Sequence, residues 1–240
     1  MEKQEFSEII KKYSEEIEIK LQEEQIDKFY TYMELLLIWN EKINLTAITN
    51  PKEIILKHFI DSITISKQIK KNAKVIDVGT GAGFPGIPLK IIREDIELTL
   101  LDSLNKRINF LKEVTEKLKL SKTEAVHARV EEFGQNKKNR EQYDYAISRA
   151  VANLATLEEY LIPLITINGY TISMKGPEIE EELEQSKKSI SVLGGKIEKI
   201  EKFELPQSDI GRTLVIIKKI KQTPAKYPRK PGMPAKEPIK

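Results

Sequence analysis

An aspartate and four closely spaced glycines near the middle of the chain could bind a nucleotide. Asp77 is followed by Gly79, Gly81, Gly83 and Gly86. Glycine adopts positive φ and lets a ligand approach the backbone without meeting a Cβ. The residues around the aspartate are apolar and mostly β-branched, which predicts a strand buried on both faces of a sheet. The pattern therefore predicts a strand, a glycine turn and a helix that bind a nucleotide.

The carboxylate indicates which nucleotide suits this turn. Gly81, Gly83 and Gly86 match the G-x-G-x-x-G pattern of dinucleotide-binding proteins, which alone is a weak indication. A pyrophosphate at a helix N-terminus gains nothing from a neighbouring anion, whereas a cofactor with sulfonium and ammonium groups does. Asp77 to Gly83 resembles the acidic-x-G-x-G-x-G signature of class I S-adenosylmethionine (SAM) methyltransferases. The alternative, that Asp77 only stabilises the turn or caps backbone amides, leaves the glycines unexplained.

Further candidates stand where predicted strands end, because open α/β sheets bind ligands beyond the carboxyl ends of their strands. These candidates are Phe84, Asp102, Val130, Glu131, Arg149 and Lys175. At its strand end, Asp102 can accept two ribose hydroxyls, which both SAM and NAD present. Arg149 is costly to bury unpaired, so it binds cofactor or substrate or else forms a structural salt bridge. His58 and His127 are isolated, and we expect structural roles for both.

Composition limits the class of protein. The 240 residues are 40% hydrophobic and 32% charged, as in an ordinary globular protein. The chain contains no cysteine, which excludes disulfides, thiolate metal sites and methylation through a cysteine adduct. The first residues lack the form of a signal peptide, and no apolar stretch near them is long enough for a membrane span. We expect a cytoplasmic protein without a membrane contact or a metal.

The first part of the chain is predicted to be helical. Apolar residues at helical spacing predict two amphipathic helices, at 5–20 and at about 24–40. Asn50 can cap a third helix, Pro51 fits its first turn, and Glu53 can complete a capping box. We expect these helices to cover the nucleotide-binding sheet as an N-terminal cap.

From residue 74 onward, strands alternate with helices. The predicted strands are 74–78, 97–102, 124–127, 143–149 and 169–175. One predicted helix begins at 88, and three more span 105–119, 153–166 and 178–193. Repeated β–α units imply a parallel, doubly wound, Rossmann-like sheet. Two last strands, 195–204 and 213–219, follow each other without a helix, which predicts an antiparallel pair at one edge and fits a class I methyltransferase.

We predict three parts: a helical cap at 1–66, a SAM-binding domain at 67–221 and a basic, proline-rich tail at 222–240. From Lys218 the chain holds eight Lys or Arg residues and one Glu. Prolines keep this segment from forming a regular helix or a central strand. It is either a solvated tail or an extended arm that meets phosphates, with Arg229 and Lys230 among its contacts.

The residues after the fourth strand suggest which atom could be methylated. Methylation of an exocyclic base nitrogen usually goes with Asn or Asp followed by Pro-Pro-aromatic, but here the sequence is Ser148-Arg149-Ala150-Val151. A ring nitrogen such as guanine N7 has a free lone pair and loses no proton. Its methylation needs orientation rather than a general base, and Arg or Lys can contact guanine and phosphates.

Taken together, these motifs resemble the bacterial ribosomal small-subunit methyltransferase G family, also called glucose-inhibited division protein B. The resemblance spans nearly the whole chain. It rests on Trp39-Asn40, Asn44-Leu45-Thr46, His58 to Ser62, Asp77 to Lys90, Ser148-Arg149-Ala150, Lys175-Gly176 and Tyr227 to Pro238.

The resemblance implies SAM-dependent methylation at N7 of one guanine in the decoding region of 16S ribosomal RNA. It implies SAM binding by Gly79, Phe84, Val130, Glu131 and Arg149. Asp77, Gly81 and Asp102 are also predicted to bind SAM, because of their positions in the glycine turn and at a strand end. It implies basic residues at or near the RNA and the active site, namely Lys106, Arg107, Arg129 and Lys175. We expect Arg149 and Lys175 to act in catalysis, and 16S RNA or the small subunit to be the substrate of a monomeric enzyme.

Three other functions are consistent with parts of the sequence. Asp77 and the late hairpin disfavour an NAD-dependent oxidoreductase. The basic tail disfavours a small-molecule methyltransferase. A complete cofactor turn would be superfluous in a non-catalytic RNA-binding module.

Overall fold

The computed structural model describes residues 1–149 and 151–239, so Ala150 and Lys240 lie outside it. Its strands are β1 (Lys74–Val78), β2 (Glu97–Asp102), β3 (Thr123–His127), β4 (Tyr143–Arg149), β5 (Ile165–Lys175), β6 (Gly195–Glu204) and β7 (Gly211–Lys219). Its α-helices are α1 (Lys3–Glu16), α2 (Glu23–Ile43), α3 (Pro51–Ile54), α4 (Asp61–Ile63), α5 (Gly86–Ile92), α6 (Asn105–Lys117), α7 (Val130–Gln135), α8 (Leu154–Leu161), α9 (Glu180–Leu193) and α10 (Met233–Lys236).

The strands form one sheet in the order β3-β2-β1-β4-β5-β7-β6. Strands β1 to β5 are parallel, and β7 runs antiparallel to both β5 and β6. The chain order reverses between β1 and β4, and in such sheets ligands bind beyond the carboxyl ends at this point. The doubly wound α/β sheet and its antiparallel edge pair confirm the prediction.

Several predicted boundaries were wrong. The first helix ends at Glu16 rather than at 20. The fifth strand begins at Ile165 rather than at 169, and α8 ends at Leu161. A 3-10 turn, Ile162–Leu164, separates them and contains Pro163, which fits such a turn but cannot donate a helical hydrogen bond. The β-branched residues that follow favour a strand.

The N-terminal helices share one hydrophobic core with the sheet. Phe59 packs against Phe29 and Tyr32, with ring centroids 5.1 and 5.4 Å away. The same buried cluster includes Ile87 of α5 and Leu100 of β2. The cap therefore shares a core with α5 and β2, while its boundary at residue 66 stays a prediction.

The third predicted helix contains an irregular turn. Asn50 caps α3 by accepting hydrogen bonds from the backbone of Lys52 and Glu53, and Glu53 pairs with Lys57 instead of completing a capping box. A π-helical turn, Ile55–Ile60, then leads into α4. Such turns are frequent at functional sites, and this one carries His58.

The described part of the tail packs against the domain. Tyr227 is 7% exposed and joins the apolar cluster of α8, α9 and β7. Arg140 donates to the carbonyls of Thr223 and Tyr227. Apart from the single turn α10, the tail is irregular, as its prolines predict. The expectation of a solvated tail was therefore wrong for this part, and contact with phosphates stays a prediction.

Within residues 1–149 and 151–239, no helix is both long and apolar enough to cross a membrane.

Candidate active site

The glycine turn follows β1 and leaves its backbone open to a ligand. Gly81 has φ +61°, and an added Cβ would meet nothing nearer than the Gly79 carbonyl at 4.0 Å. Gly83 has φ +96°, and its Cβ would lie 2.7 Å from the Tyr32 hydroxyl oxygen. The first glycine therefore keeps a cradle open, whereas the second lets the turn pack against the helical cap.

Asp77 lies behind the turn and organises it. Its Oδ2 accepts hydrogen bonds from Thr80 Oγ1 at 2.6 Å and from the Gly86 backbone N at 2.8 Å. Its Oδ1 is buried and accepts no hydrogen bond from a described residue. Burial raises the pKa of Asp77 to about 7, although both hydrogen bonds oppose this change. The carboxylate therefore builds the turn, and one of its buried oxygens is left without a hydrogen-bond donor among the described residues.

Replacing Asp77 with asparagine separates these two roles. Asparagine Oδ1 can accept the bonds from Thr80 and Gly86 while the charge is lost. We expect the fold to persist and SAM affinity to fall on the order of tenfold, because one nearby charge is removed. Calorimetry for affinity and thermal melting for stability check this. A lower melting temperature with unchanged affinity would show that Asp77 only builds the turn.

The same variant gives a pH test. The folded pKa of Asp77 lies above the unfolded value, so the group contributes stability below about pH 4 that is lost as the pH rises through about 7. We expect this fall in the free energy of unfolding to be smaller in Asp77→Asn. Burial also raises the pKa of Glu158 to about 7, but this contribution is common to both proteins.

Asp102, at the end of β2, holds the other side of the turn. Its Oδ2 accepts from Gly81 N at 2.9 Å and from Arg107 Nη1 at 3.3 Å. Its Oδ1 accepts from Leu104 N at 2.9 Å. The side chain lines the site and fits a ribose, although protein donors already contact both of its oxygens.

Arg149, at the end of β4, is fixed by the helical cap. Its Nη1 donates to Asp61 Oδ2 at 3.0 Å and to the Lys57 carbonyl at 3.1 Å. Arg212 Nε donates to the other oxygen of Asp61, also at 3.0 Å. Asp61 is 1% exposed, so it is a buried carboxylate between two guanidinium groups. The salt bridge that sequence reasoning left as an alternative for Arg149 is present, and the arginine also lines the cavity.

His58 lies in the cavity wall as a neutral imidazole. Its ring stacks on Phe84, with centroids 4.4 Å apart. Arg149 Nη2 donates to His58 Nδ1 at 3.2 Å, so Nε2 carries the proton and donates to Thr46 Oγ1 at 2.8 Å. Burial, aided by the charge of Arg149, lowers the pKa of His58 to about 3. Its expected structural role is consistent with these contacts, although the residue is not isolated.

These groups line one cavity of about 840 Å³ between the glycine turn, the cap and the ends of β4 and β5. Its charged walls are five cationic side chains and three carboxylates: Lys57, Arg107, Arg149, Lys175, Arg212, Asp61, Asp102 and Glu182. The excess of positive charge favours an anionic substrate.

A smaller cavity of about 170 Å³ adjoins the first one and shares Gly79 and Asp102 with it. Val130, Glu131 and Tyr160 line it. Glu131 Oε1 accepts a hydrogen bond from Gly232 N at 3.0 Å, which ties the tail to this cavity. The structure thus brings all the predicted cofactor residues to two adjoining cavities, apart from Asp77 behind the turn.

The predicted RNA residues are more dispersed. Lys106 and Arg129 are exposed near the carboxyl ends of β2 and β3, as is Lys230 in the tail. Arg229 Nη2 lies 2.7 Å from Oε2 of Glu159, whose side chain is buried. Contact with RNA stays a prediction for these residues, and Arg229 already has an anionic partner.

Sequence reasoning missed several residues of the site. Asp61 was quoted only within a motif of the resemblance, and Arg212 and Glu182 were not singled out. Asp61 and Arg212 are 151 positions apart, and no local spacing links them. Arg212 directly precedes the predicted strand 213–219, and this position was the one available indication for it.

Comparison with known proteins identifies the family. The family model described as GidB, rRNA small subunit methyltransferase G, matches residues 25–211. The chain belongs to this family. "Ribosomal RNA small subunit methyltransferase G" of Desulforamulus reducens is 56% identical over 96% of this chain and 97% of that protein. The protein of the same name from Alkaliphilus metalliredigens is 52% identical over 97% of this chain and 98% of that one.

A solved structure agrees on the fold. A SAM-dependent methyltransferase from Aquifex aeolicus covers 74% of this chain and 97% of its own, with a TM-score of 0.52 and 17% identity. The fold is therefore that of class I SAM-dependent methyltransferases, with helices added at the N-terminus. As a member of the G family, the chain is a methyltransferase of small-subunit ribosomal RNA that uses SAM.

The site fits this cofactor. The open cradle at Gly81 admits a ligand to the backbone. The partnerless Asp77 Oδ1 suits a positive charge, and Asp102 stands at the strand end where ribose hydroxyls are bound.

Proposed function

We propose that this methyltransferase acts at N7 of one guanine in the decoding region of 16S ribosomal RNA. The observation that carries the proposal is a single cavity that joins the glycine turn to Arg149, Lys175 and Arg212. A cofactor site and a cationic, nucleotide-sized space thus share one opening. N7 specificity follows from membership of the G family.

In this proposal the cofactor spans the two adjoining cavities. The adenine lies against Val130 and Glu131, and Asp102 holds the ribose. The methionine part lies along the glycine turn beside Phe84, where Arg149 can bind its carboxylate. Described residues accept three hydrogen bonds from the Arg149 guanidinium, and two of its five N–H groups remain for a ligand.

The protein contributes orientation and charge to the reaction. Bound SAM supplies an electrophilic methyl group, and guanine N7 offers its lone pair without losing a proton. No side chain has to remove a proton, so Arg149 and Lys175 act by holding the two reactants in line and excluding water. The cations around the cavity attract the RNA phosphates next to the target base.

Because no general base is needed, His58→Asn should keep most of its turnover. Asparagine Oδ1 can replace His58 Nδ1 as the acceptor for Arg149. We expect kcat to fall less than tenfold, whereas losing a general base costs roughly 100-fold or more. A pH–rate profile of both proteins is the measurement, with His127→Ala as an exposed control. A pH inflection that disappears with His58 would contradict the mechanism.

The RNA surface is proposed to surround the cavity mouth. Lys106, Arg107 and Arg129 lie at the ends of β2 and β3, and Lys230 and Arg229 are in the tail. We further propose that the enzyme is a cytoplasmic monomer that acts on the small subunit or its precursor RNA.

Transfer of a labelled methyl group tests the proposal. Small subunits from cells that lack this activity are incubated with the protein and radiolabelled SAM. We expect the wild-type protein to label 16S RNA and a protein with Arg149 replaced to lose this labelling. Labelling of ribosomal protein or of small molecules alone would refute the proposal.

A further inference from the structure

We propose that Lys175 and Glu182 recognise the target guanine by its O6 and N1–H groups and so reject adenine. This inference rests on the proposed guanine methylation. It assigns base selection to an ion pair at the end of β5 and the start of α9.

The pair is fixed in place. Lys175 Nζ lies 2.7 Å from Glu182 Oε2 and 2.8 Å from the Ala152 carbonyl. The same Glu182 oxygen accepts a hydrogen bond from Leu154 N at 2.8 Å. The lysine side chain is 9% exposed and the glutamate side chain 31% exposed. Both line the large cavity, so the pair borders the space where a base would enter.

Each partner keeps hydrogen-bonding capacity. The Ala152 carbonyl accepts one Lys175 N–H, and Glu182 Oε2 faces the ammonium as its ion-pair partner, which leaves at least one of the three N–H groups for a ligand. Leu154 N and the Lys175 ammonium both contact Oε2 of Glu182, and no described residue bonds to Oε1, which remains available as an acceptor. The pair therefore offers one donor beside one acceptor.

The other two carboxylates of the cavity are committed. Both oxygens of Asp61 are bound by Arg149 and Arg212. Both oxygens of Asp102 contact protein donors, and the proposed ribose lies there too. Glu182 is the carboxylate of this cavity with an uncommitted oxygen.

Guanine presents an acceptor, O6, beside a donor, N1–H, which complements the lysine–glutamate pair. Adenine presents the reverse order, an N6 amino donor beside the N1 acceptor. Its donor would face the Lys175 ammonium, and its acceptor would face the Glu182 carboxylate. A site with buried polar groups discriminates strongly against such a mismatch. In guanine, N7 lies on the other side of O6 from N1. Lys175 follows Met174, which pairs with Arg149 across the sheet, so N7 would lie on the side of Arg149.

Base substitution in the RNA tests this assignment. The substrates are 16S RNAs assembled into small subunits with guanine, inosine or 2-aminopurine at the target position. Inosine keeps O6 and N1–H, whereas 2-aminopurine lacks both. We expect the wild type to use inosine within about tenfold of guanine and to discriminate against 2-aminopurine by roughly 100-fold, as expected for a good paired contact to a base.

Glu182→Gln should reduce the preference for guanine over 2-aminopurine about tenfold, with unchanged SAM affinity by calorimetry. Glu181→Gln is the matched control, because Glu181 is on the same helix but pairs with Gln185 outside the large cavity, and it should keep full discrimination. If Glu182→Gln melts at a lower temperature, Glu182→Asp replaces it, since its shorter carboxylate should also weaken discrimination.

Unchanged discrimination in a folded Glu182 variant would overturn the inference, as would poor use of inosine by the wild type. A wild-type protein that methylates no guanine-containing RNA would instead refute the proposed function, so the two failures are distinguishable.

Discussion

Arg149→Lys is expected to lower kcat/KM for methyl transfer roughly 100-fold and to weaken SAM binding, with the fold retained. Lysine keeps a positive charge beside buried Asp61, and Arg212 still pairs with that carboxylate. A single ammonium group cannot match the planar guanidinium that contacts Asp61, His58 and the Lys57 carbonyl together. Small errors in the placement of reacting groups cost rate factors of about this size.

Steady-state kinetics, SAM calorimetry and thermal melting are measured on the same preparations. Arg93→Lys is the matched control, because Arg93 likewise makes three or more hydrogen bonds, to an aspartate and to three backbone carbonyls, but does not line the large cavity. It should lower the melting temperature and leave kcat unchanged. If Arg149→Lys behaves like this control, Arg149 is a structural residue alone.

Arg229→Gln is expected to lower the free energy of unfolding by about 3 kcal/mol and to weaken SAM binding as well. The guanidinium binds both oxygens of Glu159, a carboxylate that is 0% exposed, and breaking such a pair leaves a buried charge unpaired. The same stretch of tail holds Glu131 through Gly232, beside the proposed adenine site. Loss of the ion pair should therefore disturb the proposed adenine site and weaken SAM binding.

Lys230→Gln is the matched variant in the tail, because Lys230 is exposed. It should melt like the wild type and reduce the slope of log RNA affinity against log salt by about 0.7 to 0.9, the loss of one phosphate contact. Denaturant unfolding, calorimetry and RNA binding at several salt concentrations separate the two effects. A stable Arg229→Gln protein with normal SAM affinity would contradict the structural role of the tail.

Much of the sheet could be predicted from the sequence because its local patterns are strong. The apolar runs of β1 and β2 lie between residues that break strands, and both observed strands match their predicted bounds. The last two strands lack a helix between them, and this alone indicated an antiparallel edge pair. The glycine turn followed from the spacing of four glycines.

Long-range charge pairing could not be predicted. Asp61, Arg149 and Arg212 come from the cap, β4 and β7, and only the fold brings them together. The tail illustrates the same limit, since its basic composition suggested an arm for phosphates. Its conformation depends instead on two residues far away in the sequence. Glu159 accepts hydrogen bonds from Arg229 of the tail, and Arg140 donates to the Thr223 carbonyl.

The chemical identity of the methylated atom decides whether this protein methylates guanine N7. Small-subunit RNA methylated by the protein is reduced with borohydride and treated with aniline, which cleaves the chain at N7-methylguanine. We expect strand scission at a single guanine of the 16S decoding region, dependent on both SAM and Arg149. Labelled RNA that resists cleavage would contradict N7 methylation, and so would scission at many guanines.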